Sequence, residues 1–220
     1  MTILFEREVE QLKRNFLILG SMVEGSVQKA IDSLTEYDRN LASSVVDYDE
    51  EIDQKEIEIE EECLKVLALH QPVAADLRFI VSILKINSDL ERIGDLATNV
   101  AERSLYLSDY PDIKIPQQIF DMAKPVQLMI KEALDSLVNK NAELAEQVIG
   151  SDHEVDEIHR QMYHIIHGFL ANDAYHQPQW LQVLAISRYL ERMADHATNI
   201  AEDVIYMIDG DIVRHTSISD

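Results

Sequence analysis

The sequence predicts an all-α protein built from two pseudo-symmetric antiparallel three-helix bundles. Three observations predict this fold class. The chain of 220 residues contains only six Gly and five Pro, and such low counts favour long helices over sheets with many turns. Apolar residues recur at steps of three and four residues over long stretches, which is typical of amphipathic helices. The two halves of the sequence also repeat each other, which indicates an internal duplication.

The duplication is clearest in LERIGDLATNVAE at 90–102 and LERMADHATNIAE at 190–202, which agree at nine of thirteen positions. The segment DEEID at 49–53 recurs as DHEVD at 152–156. The offset is 103 residues for this pair and 100 for the longer pair, so the second copy is three residues shorter between these points. Because the order is the same in both halves, we expect each copy to fold as the same unit.

Three helices are predicted in the first copy. The spacing of apolar residues places helix 1 over about 6–37. Asp38 or Asn40 can accept hydrogen bonds at the start of helix 2, which is predicted to end near His70. Pro72 suits the first turn of helix 3, because its fixed φ angle is already close to the helical value.

The second copy repeats this order of helices. Helix 4 is predicted to start near Pro116, with a kink or break at Pro125. Helices 5 and 6 are predicted over about 141–171 and 178–208. The predicted division of the chain is a first bundle at 1–108, a linker at 109–116, a second bundle at 117–209 and a frayed tail at 210–220.

Carboxylates line one edge of the apolar face on helices 2 and 3. At 100° per residue, Glu91, Asp95 and Glu102 fall on one narrow stripe of helix 3. A matching stripe on helix 2 consists of Asp49, Asp53, Glu56 and Glu60. Like charges four residues apart cost a helix a few tenths of a kcal/mol. Two such stripes on neighbouring helices, repeated in both copies, therefore suggest a cation between them.

The second copy keeps most of these acids but has Tyr163 in place of Glu60 and gains two His. Asp152, Asp156, Glu191, Asp195 and Glu202 stand at the equivalent positions, whereas His159 replaces Glu56 and His196 replaces Leu96. His159 lies in the stripe itself and is a candidate metal ligand. His196 lies about a quarter turn away and is the weaker candidate. One turn beyond the motif acids, Asn99 and Asn199 can support the ligands or bond another helix.

The donor types restrict the metal without identifying it. Oxygen ligands on facing helices suit Mg²⁺, Mn²⁺, Ca²⁺ or iron rather than a zinc–thiolate site. Acidic stripes also occur on the solvated faces of plain bundles. From the residues alone, a metal site and a solvated face therefore remain equal alternatives.

The net charge of −22 restricts the partners. The first 110 residues hold 23 acids and 11 bases, and the remainder 18 and 8, so the acidity is not confined to a tail. Such a surface repels nucleic acid and favours cations or a basic protein surface. A single Cys fits a reducing cytosol. No apolar run approaches the ~18 residues of a membrane span, so we expect a cytoplasmic protein that is peripheral to the membrane at most.

The duplicated motifs, each following a D-x-x-x-D segment, resemble those of the PhoU family, the accessory regulators of the bacterial phosphate-specific transport system. The resemblance covers about 5–210. It implies a non-enzymatic protein that restrains phosphate uptake and represses the phosphate-starvation response. The implied partners are the phosphate ABC transporter and a sensor histidine kinase, and a homodimer is also expected.

The resemblance further implies metal binding, because some family members hold iron or zinc clusters on acidic motifs. Matched residue by residue, the expected ligands are Asp49, Asp53, Glu91, Asp95, Asp152, Asp156, Glu191 and Asp195. Family members often have His directly after the final Asp of the first motif, where this chain has Leu96. The first site is therefore expected to use oxygen donors more exclusively than the second.

Two alternative functions remain. One is a metal-free helical scaffold whose acidic faces bind a basic partner. The other is a di-metal carboxylate enzyme in a helical bundle, a class that uses Glu-x-x-His motifs. No such motif occurs in the sequence, and the nearest is Asp156-x-x-His159. The enzyme is the weaker alternative, because no nucleophile elbow or Gly-rich phosphate loop is present either.

Overall fold

The computed structural model describes residues 3–210, and every regular element within this range is an α-helix. The helices are α1 (Ile3–Glu36), α2 (Arg39–His70), α3 (Ala74–Leu107), α4 (Gln117–Asn139), α5 (Ala142–Asn172) and α6 (Gln177–Asp209). The predicted all-α class is confirmed. The tail predicted at 210–220 lies outside the described residues apart from Gly210. None of these helices is long and apolar enough to cross a membrane.

Side-chain caps fix the starts of α2 and α5. Asp38 accepts hydrogen bonds from the backbone N–H groups of Asn40 and Leu41, at 2.8 and 3.1 Å. Asn141 accepts one from the N–H of Leu144 at 3.1 Å. These bonds satisfy donors that have no partner inside the helix. The prediction of Asp38 as a cap is confirmed.

The prediction for Pro72 was wrong, and of the kink or break predicted at Pro125 the break was wrong. Pro72 does not lie in the first turn of α3, which begins at Ala74. The reason is that Gln71 ends α2 in the left-handed conformation, with φ of 46°, so Pro72 falls in the connecting loop. Pro125 does not break α4, which is continuous across it. The flanking residues Ala123 and Val126 are fully buried, and this packing holds the helix together despite the lost hydrogen bond.

The helices form two packed groups that share one core. α1, α2 and α3 pack on one another, as do α4, α5 and α6, and the two groups meet mainly along α3 and α6. A single apolar core runs through both groups. Gly20 is in tight contact where α1 meets α4, since a Cβ there would lie 3.0 Å from Leu134 Cδ1. The duplicated bundles are therefore fused through buried surface.

Candidate metal centre

Two neighbouring helices bring carboxylates together in the first half. Asp49 and Asp53 share one face of α2 because they are four residues apart, and Asp95 meets them from α3. One oxygen of each side chain lies within 4.8 Å of the other two. Among residues 3–210, no other three Asp, Glu, His or Cys side chains approach this closely. We call this site the first groove and include Glu91, which lies one turn before Asp95 on α3 but is not among the three gathered acids.

Gly94 permits the close packing of α2 on α3. A Cβ atom at this position would lie 3.2 Å from Cγ2 of Ile52, which is buried on α2. Such a distance is shorter than ordinary van der Waals contact between carbon atoms. The absent side chain therefore lets α3 approach α2 closely beside Asp95.

Neutral and cationic side chains support the acids of the first groove. Thr98 Oγ1 donates a hydrogen bond to Asp49 Oδ1 at 3.0 Å, which links α3 to α2. Arg92 pairs with both motif acids of α3, at 3.3 Å from Glu91 and 2.9 Å from Asp95. The guanidinium is more than half exposed, so these pairs orient the carboxylates more than they stabilise the fold.

The helix-edge position makes ionisation of the first groove costly. Burial raises the pKa of Asp49, and the charges of Asp53 and Asp95 raise it further. Burial followed by the charge of Asp95 likewise raises the pKa of Glu91. Each acid is harder to ionise because its neighbours are already charged. A cation in the groove would relieve both effects.

The equivalent acids of α5 and α6 form the second groove, which consists of Asp152, Asp156, Glu191 and Asp195. Burial raises the pKa of Asp152 to about 6, and the charges of Asp156 and Asp195 add to this rise. Burial also raises the pKa of Glu191 and that of Asp195. These four acids therefore interact electrostatically although their ligand atoms are less closely gathered than those of the first groove.

One hydrogen bond of the first groove is missing from the second. Thr198 stands where Thr98 stands in the first copy, and Asp152 stands where Asp49 stands. Oγ1 of Thr198 and Oδ1 of Asp152 are both buried, and neither has a hydrogen-bond partner in the described part of the chain. Buried polar atoms of this kind normally find a partner. The second groove thus leaves an oxygen atom available for a ligand.

A hydrogen bond sets the tautomer of His159, which lies close enough to Asp156 of the second groove for that charge to affect its pKa. Its Nδ1 lies 3.1 Å from Ser187 Oγ, whose own hydroxyl donates to the carbonyl of Leu184. The serine has only one proton to donate, so Nδ1–H of His159 must be the donor to it. This tautomer leaves Nε2 with a free lone pair. Burial lowers the pKa of His159, which favours the neutral form that a metal requires.

Four further acids were predicted as additional ligands, namely Glu56, Glu60, Glu102 and Glu202. Glu60 and Glu102 are exposed, and Glu202 is half-buried. The charge of Glu102 contributes to the raised pKa of Asp49, so it lies near the first groove. Glu56 is held by Asn87, whose Nδ2 donates to its Oε1 at 2.9 Å. As ligands, these acids stay predictions.

The candidate His and Asn residues of α6 face the other half of the molecule. Nδ1 of His196 lies 2.8 Å from Asp89 Oδ1 on α3, and Asn199 Nδ2 donates to the same oxygen at 3.4 Å. Asn99 instead donates to the backbone carbonyl of Asp95 at 2.7 Å. Nδ1 of His196 and Nδ2 of Asn199 are therefore engaged with α3 of the first half. The ligand role predicted for His196 and the supporting roles predicted for Asn99 and Asn199 stay predictions.

Sequence reasoning did not identify several polar partners of the grooves. Thr98 and Thr198 belong to the matched segments, so their repetition was the signal that could have found them. Asn87 and Ser187 differ in type and precede the motif, and they bond to the equivalent residues Glu56 and His159. Their spacing of 100 residues shows that both copies pair their helices in the same register.

The first groove has dimensions that suit a metal ion. Oxygen ligands at roughly 2.0–2.6 Å from an ion lie at most about 4–5 Å from one another. The oxygens of Asp49, Asp53 and Asp95 meet that limit. The second groove offers a different donor set, because His159 adds a nitrogen and Asp152 an unpartnered oxygen. The first set suits hard cations, and the second also suits zinc or iron.

Comparison with known proteins gives one consistent result. The chain matches the PhoU domain family over residues 16–104 and again over 119–204. It is 37% identical over 218 residues to the phosphate-specific transport system accessory protein PhoU homolog of Pseudomonas aeruginosa, covering 98% of this chain and 89% of the relative. The homolog of the same name from Aquifex aeolicus is 36% identical, with 97% of each chain covered.

Solved structures agree with these matches. The crystal structure of PhoU from Pseudomonas aeruginosa superposes with a TM-score of 0.91 at 37% identity, covering 94% of this chain and 100% of that one. The phosphate transport system regulatory protein PhoU from Streptococcus pneumoniae superposes with a TM-score of 0.89 at 31% identity, covering 95% of this chain and 99% of that one. The predicted duplicated three-helix fold is therefore confirmed.

Proposed function

The chain belongs to the PhoU family, and we propose that it is a non-enzymatic regulator that restrains phosphate uptake and represses the phosphate-starvation response. The observation that carries this proposal is the match to accessory proteins of phosphate-specific transport over nearly the whole chain. Both domain matches fall on helical bundles that are fused along α3 and α6. A rigid, strongly acidic helical body suits a protein that acts by binding others.

The proposed partners are the phosphate ABC transporter and a sensor histidine kinase, contacted from the cytoplasm. The net charge of −22 supports basic partner surfaces and argues against nucleic acid. Homodimer formation is part of the same proposal. Negative regulation would follow if the bound protein holds the transporter in a less active state.

We also propose that each groove binds a divalent cation, with Fe, Zn, Mg, Mn or Ca as candidates. Asp49, Asp53, Glu91 and Asp95 would hold it in the first groove, and Asp152, Asp156, Glu191, Asp195 and His159 in the second. The cation would neutralise carboxylates whose pKa values burial has raised. By binding acids from two helices at once, the cation would join α2 to α3 in the first groove and α5 to α6 in the second. The proposed role of the cation is therefore structural, and the proposal includes no catalysis.

One observation favours the metal-free scaffold as a second candidate. Arg92 already pairs with Glu91 and Asp95, so part of the charge in the first groove is balanced without a cation. On this account the acids bind a basic surface of the partner. The scaffold and the metal-binding regulator predict the same partners but different effects of chelation.

Complementation in a bacterium that lacks its own PhoU tests the regulatory proposal. The chain is expected to lower phosphate uptake and starvation-reporter expression in high phosphate, and a tagged copy should recover the phosphate transporter. Recovery of the transporter with and without chelator separates the two candidates, because only the metal-binding regulator should lose the interaction when metal is removed. Asp49→Asn combined with Asp95→Asn should weaken it on either account. Exposed Glu50→Gln on the same helix is the matched control. Unchanged uptake and reporter levels on complementation would contradict the proposal.

A further inference from the structure

A basic cavity lies where the two halves of this acidic chain meet. It has a volume of about 260 Å³ and is lined by residues of α1, α3 and α6 and by the residue that follows α4. Three of the lining residues are cationic, namely Lys13, Arg78 and Lys140. Only 19 Lys and Arg accompany 41 acids in the whole chain. Three separate elements thus bring scarce positive charges to one place.

Two of these cations have no carboxylate partner in the described part of the chain. Lys13 pairs with Glu10 at 2.6 Å, but Arg78 and Lys140 make no ion pair within residues 3–210. Nε of Arg78 is buried and has no hydrogen-bond acceptor. A buried guanidinium N–H without an acceptor is costly. A Cβ atom at Gly210, which follows α6, would lie 3.7 Å from Cζ of Arg78, so the guanidinium lies close to the end of α6.

The start of α3 also lines this cavity. Val73 precedes this helix and makes no side-chain capping bond. The first N–H groups of a helix have no partner inside it, and the helix dipole places partial positive charge there. Ala75 and Asp76 of this turn line the cavity. Asp76 is the one acid among the lining residues, and its negative charge opposes the binding of an anion.

Apolar surroundings strengthen the attraction of these charges for an anion. Val9, Phe79, Met207 and Ile208 form the rest of the wall, and an apolar wall lowers the local dielectric constant. A second cavity of about 120 Å³ adjoins the first, sharing Lys13, Phe79 and Lys140. Phe16 and Leu137 give it a largely apolar lining. An anionic group in the first cavity could therefore carry a small apolar group into the second.

We propose that this cavity binds a phosphate group, either as the free anion or as a monoester. A phosphate dianion has enough oxygens to accept from a guanidinium, two ammonium groups and backbone amides together. A carboxylate has only two oxygens and cannot satisfy all of these donors. The site goes beyond the proposed function, which requires no ligand here, and it shares no residue with either groove.

Calorimetric titration of the full chain tests the site. Inorganic phosphate is added at low ionic strength with a chelator present, so that metal in the grooves cannot contribute. Wild type is expected to bind one phosphate per chain in a saturable manner. Arg78→Gln and Lys140→Gln should each weaken binding by about tenfold or more, since each removes a charge-assisted contact. Asp76→Asn should tighten it, because a like charge is removed.

Arg160→Gln is the matched control, because Arg160 is exposed on α5 and pairs with Glu157 of its own helix. Phenyl phosphate distinguishes the two sources of the phosphate group. Tighter binding than inorganic phosphate would identify a monoester that fills the second cavity, and equal or weaker binding would identify the free anion. Lys140→Gln keeps the test valid if Arg78→Gln impairs folding. Absence of saturable binding by wild type, or equal affinity in Arg78→Gln, Lys140→Gln and Arg160→Gln, would overturn the proposal.

Discussion

The first and second grooves derive from one repeated sequence unit, yet they satisfy their buried oxygens differently. In the first, Thr98 donates to Asp49 across the two helices. In the second, the equivalent Thr198 and Asp152 atoms are buried without partners in the described part of the chain. A duplicated motif therefore preserves the residues more faithfully than the contacts between them.

Packing beside the motif accounts for part of this difference. The first copy pairs Gly94 with Ile52, and the second has Ala194 and Val155 at the same positions. One methyl group is added on α6 and one methylene is removed on α5, so the volume is nearly conserved while the shape changes. Such exchanges keep a core filled but shift the helices slightly. We expect this shift to let the carboxylates meet in the first groove and to keep them apart in the second.

The largest effect is expected from metal itself. At 100 times the Kd, a cation that binds only the native state stabilises it by ~2.7 kcal/mol, which corresponds to a rise in Tm of roughly 5–10 °C. Asp49→Asn with Asp95→Asn should remove the stabilisation that metal gives through the first groove and leave the stabilisation that it gives through the second. The double change should also raise the stability of the chelated protein, because it removes repulsion. Calorimetric melts with chelator and with added Mn²⁺ or Zn²⁺ measure both effects, and an unmoved wild-type melt would favour the scaffold.

Valine at the two equivalent threonines should have unequal effects. Thr98→Val removes a hydrogen bond to a carboxylate and is expected to destabilise the protein by about 1.5 kcal/mol. Thr198→Val removes a buried hydroxyl that has no partner in the described structure, so it should be neutral or stabilising. Urea denaturation in chelator gives both changes in unfolding free energy. Equal losses would show that the grooves do not differ in this contact.

Acid titration should affect the second groove most. The folded pKa of Asp152 is raised to about 6 from 3.8, so the native state binds a proton that the unfolded state lacks between these values. The unfolding free energy should therefore increase as pH falls from 7 through 6 towards 4. After allowance for solvent screening, the gain is about 1 kcal/mol. Asp152→Asn should lose it, whereas Asp49→Asn should lose less because Thr98 partly offsets the effect of burial on the pKa of Asp49.

The smallest effect concerns the packing exchange. Gly94→Ala brings a Cβ to 3.2 Å from Ile52 and is expected to be destabilising. Ile52→Val should then cost about 0.5–1 kcal/mol less in the Gly94→Ala protein than in wild type, since the second copy already combines Ala with Val. A double-mutant cycle in urea measures this coupling. Strict additivity would mean that the exchange does not explain the difference between the grooves.

The sequence predicted the helices and the stripes because both depend on periodicity within one helix. Asp38 was identifiable as a cap for the same local reason. The end of helix 2 near His70 was also identifiable. The left-handed conformation of Gln71, which leaves Pro72 in the loop, was not, because no local pattern required it. His196 shows the same limit. Its position on α6 was evident, but its bond to Asp89 depends on how α6 packs against α3. Contacts between helices decide which stripe residues actually meet.

Titration of the chelator-treated protein with Mn²⁺, with free ion followed by electron paramagnetic resonance, tests most directly whether the grooves are metal sites of unequal geometry. We expect wild type to remove Mn²⁺ from solution, and the gathered oxygens of the first groove to hold it more tightly. Asp49→Asn with Asp95→Asn should abolish this tight component, while Asp152→Asn with Asp195→Asn should leave it. Binding that is absent in wild type, or unchanged by the first pair of substitutions, would contradict the account.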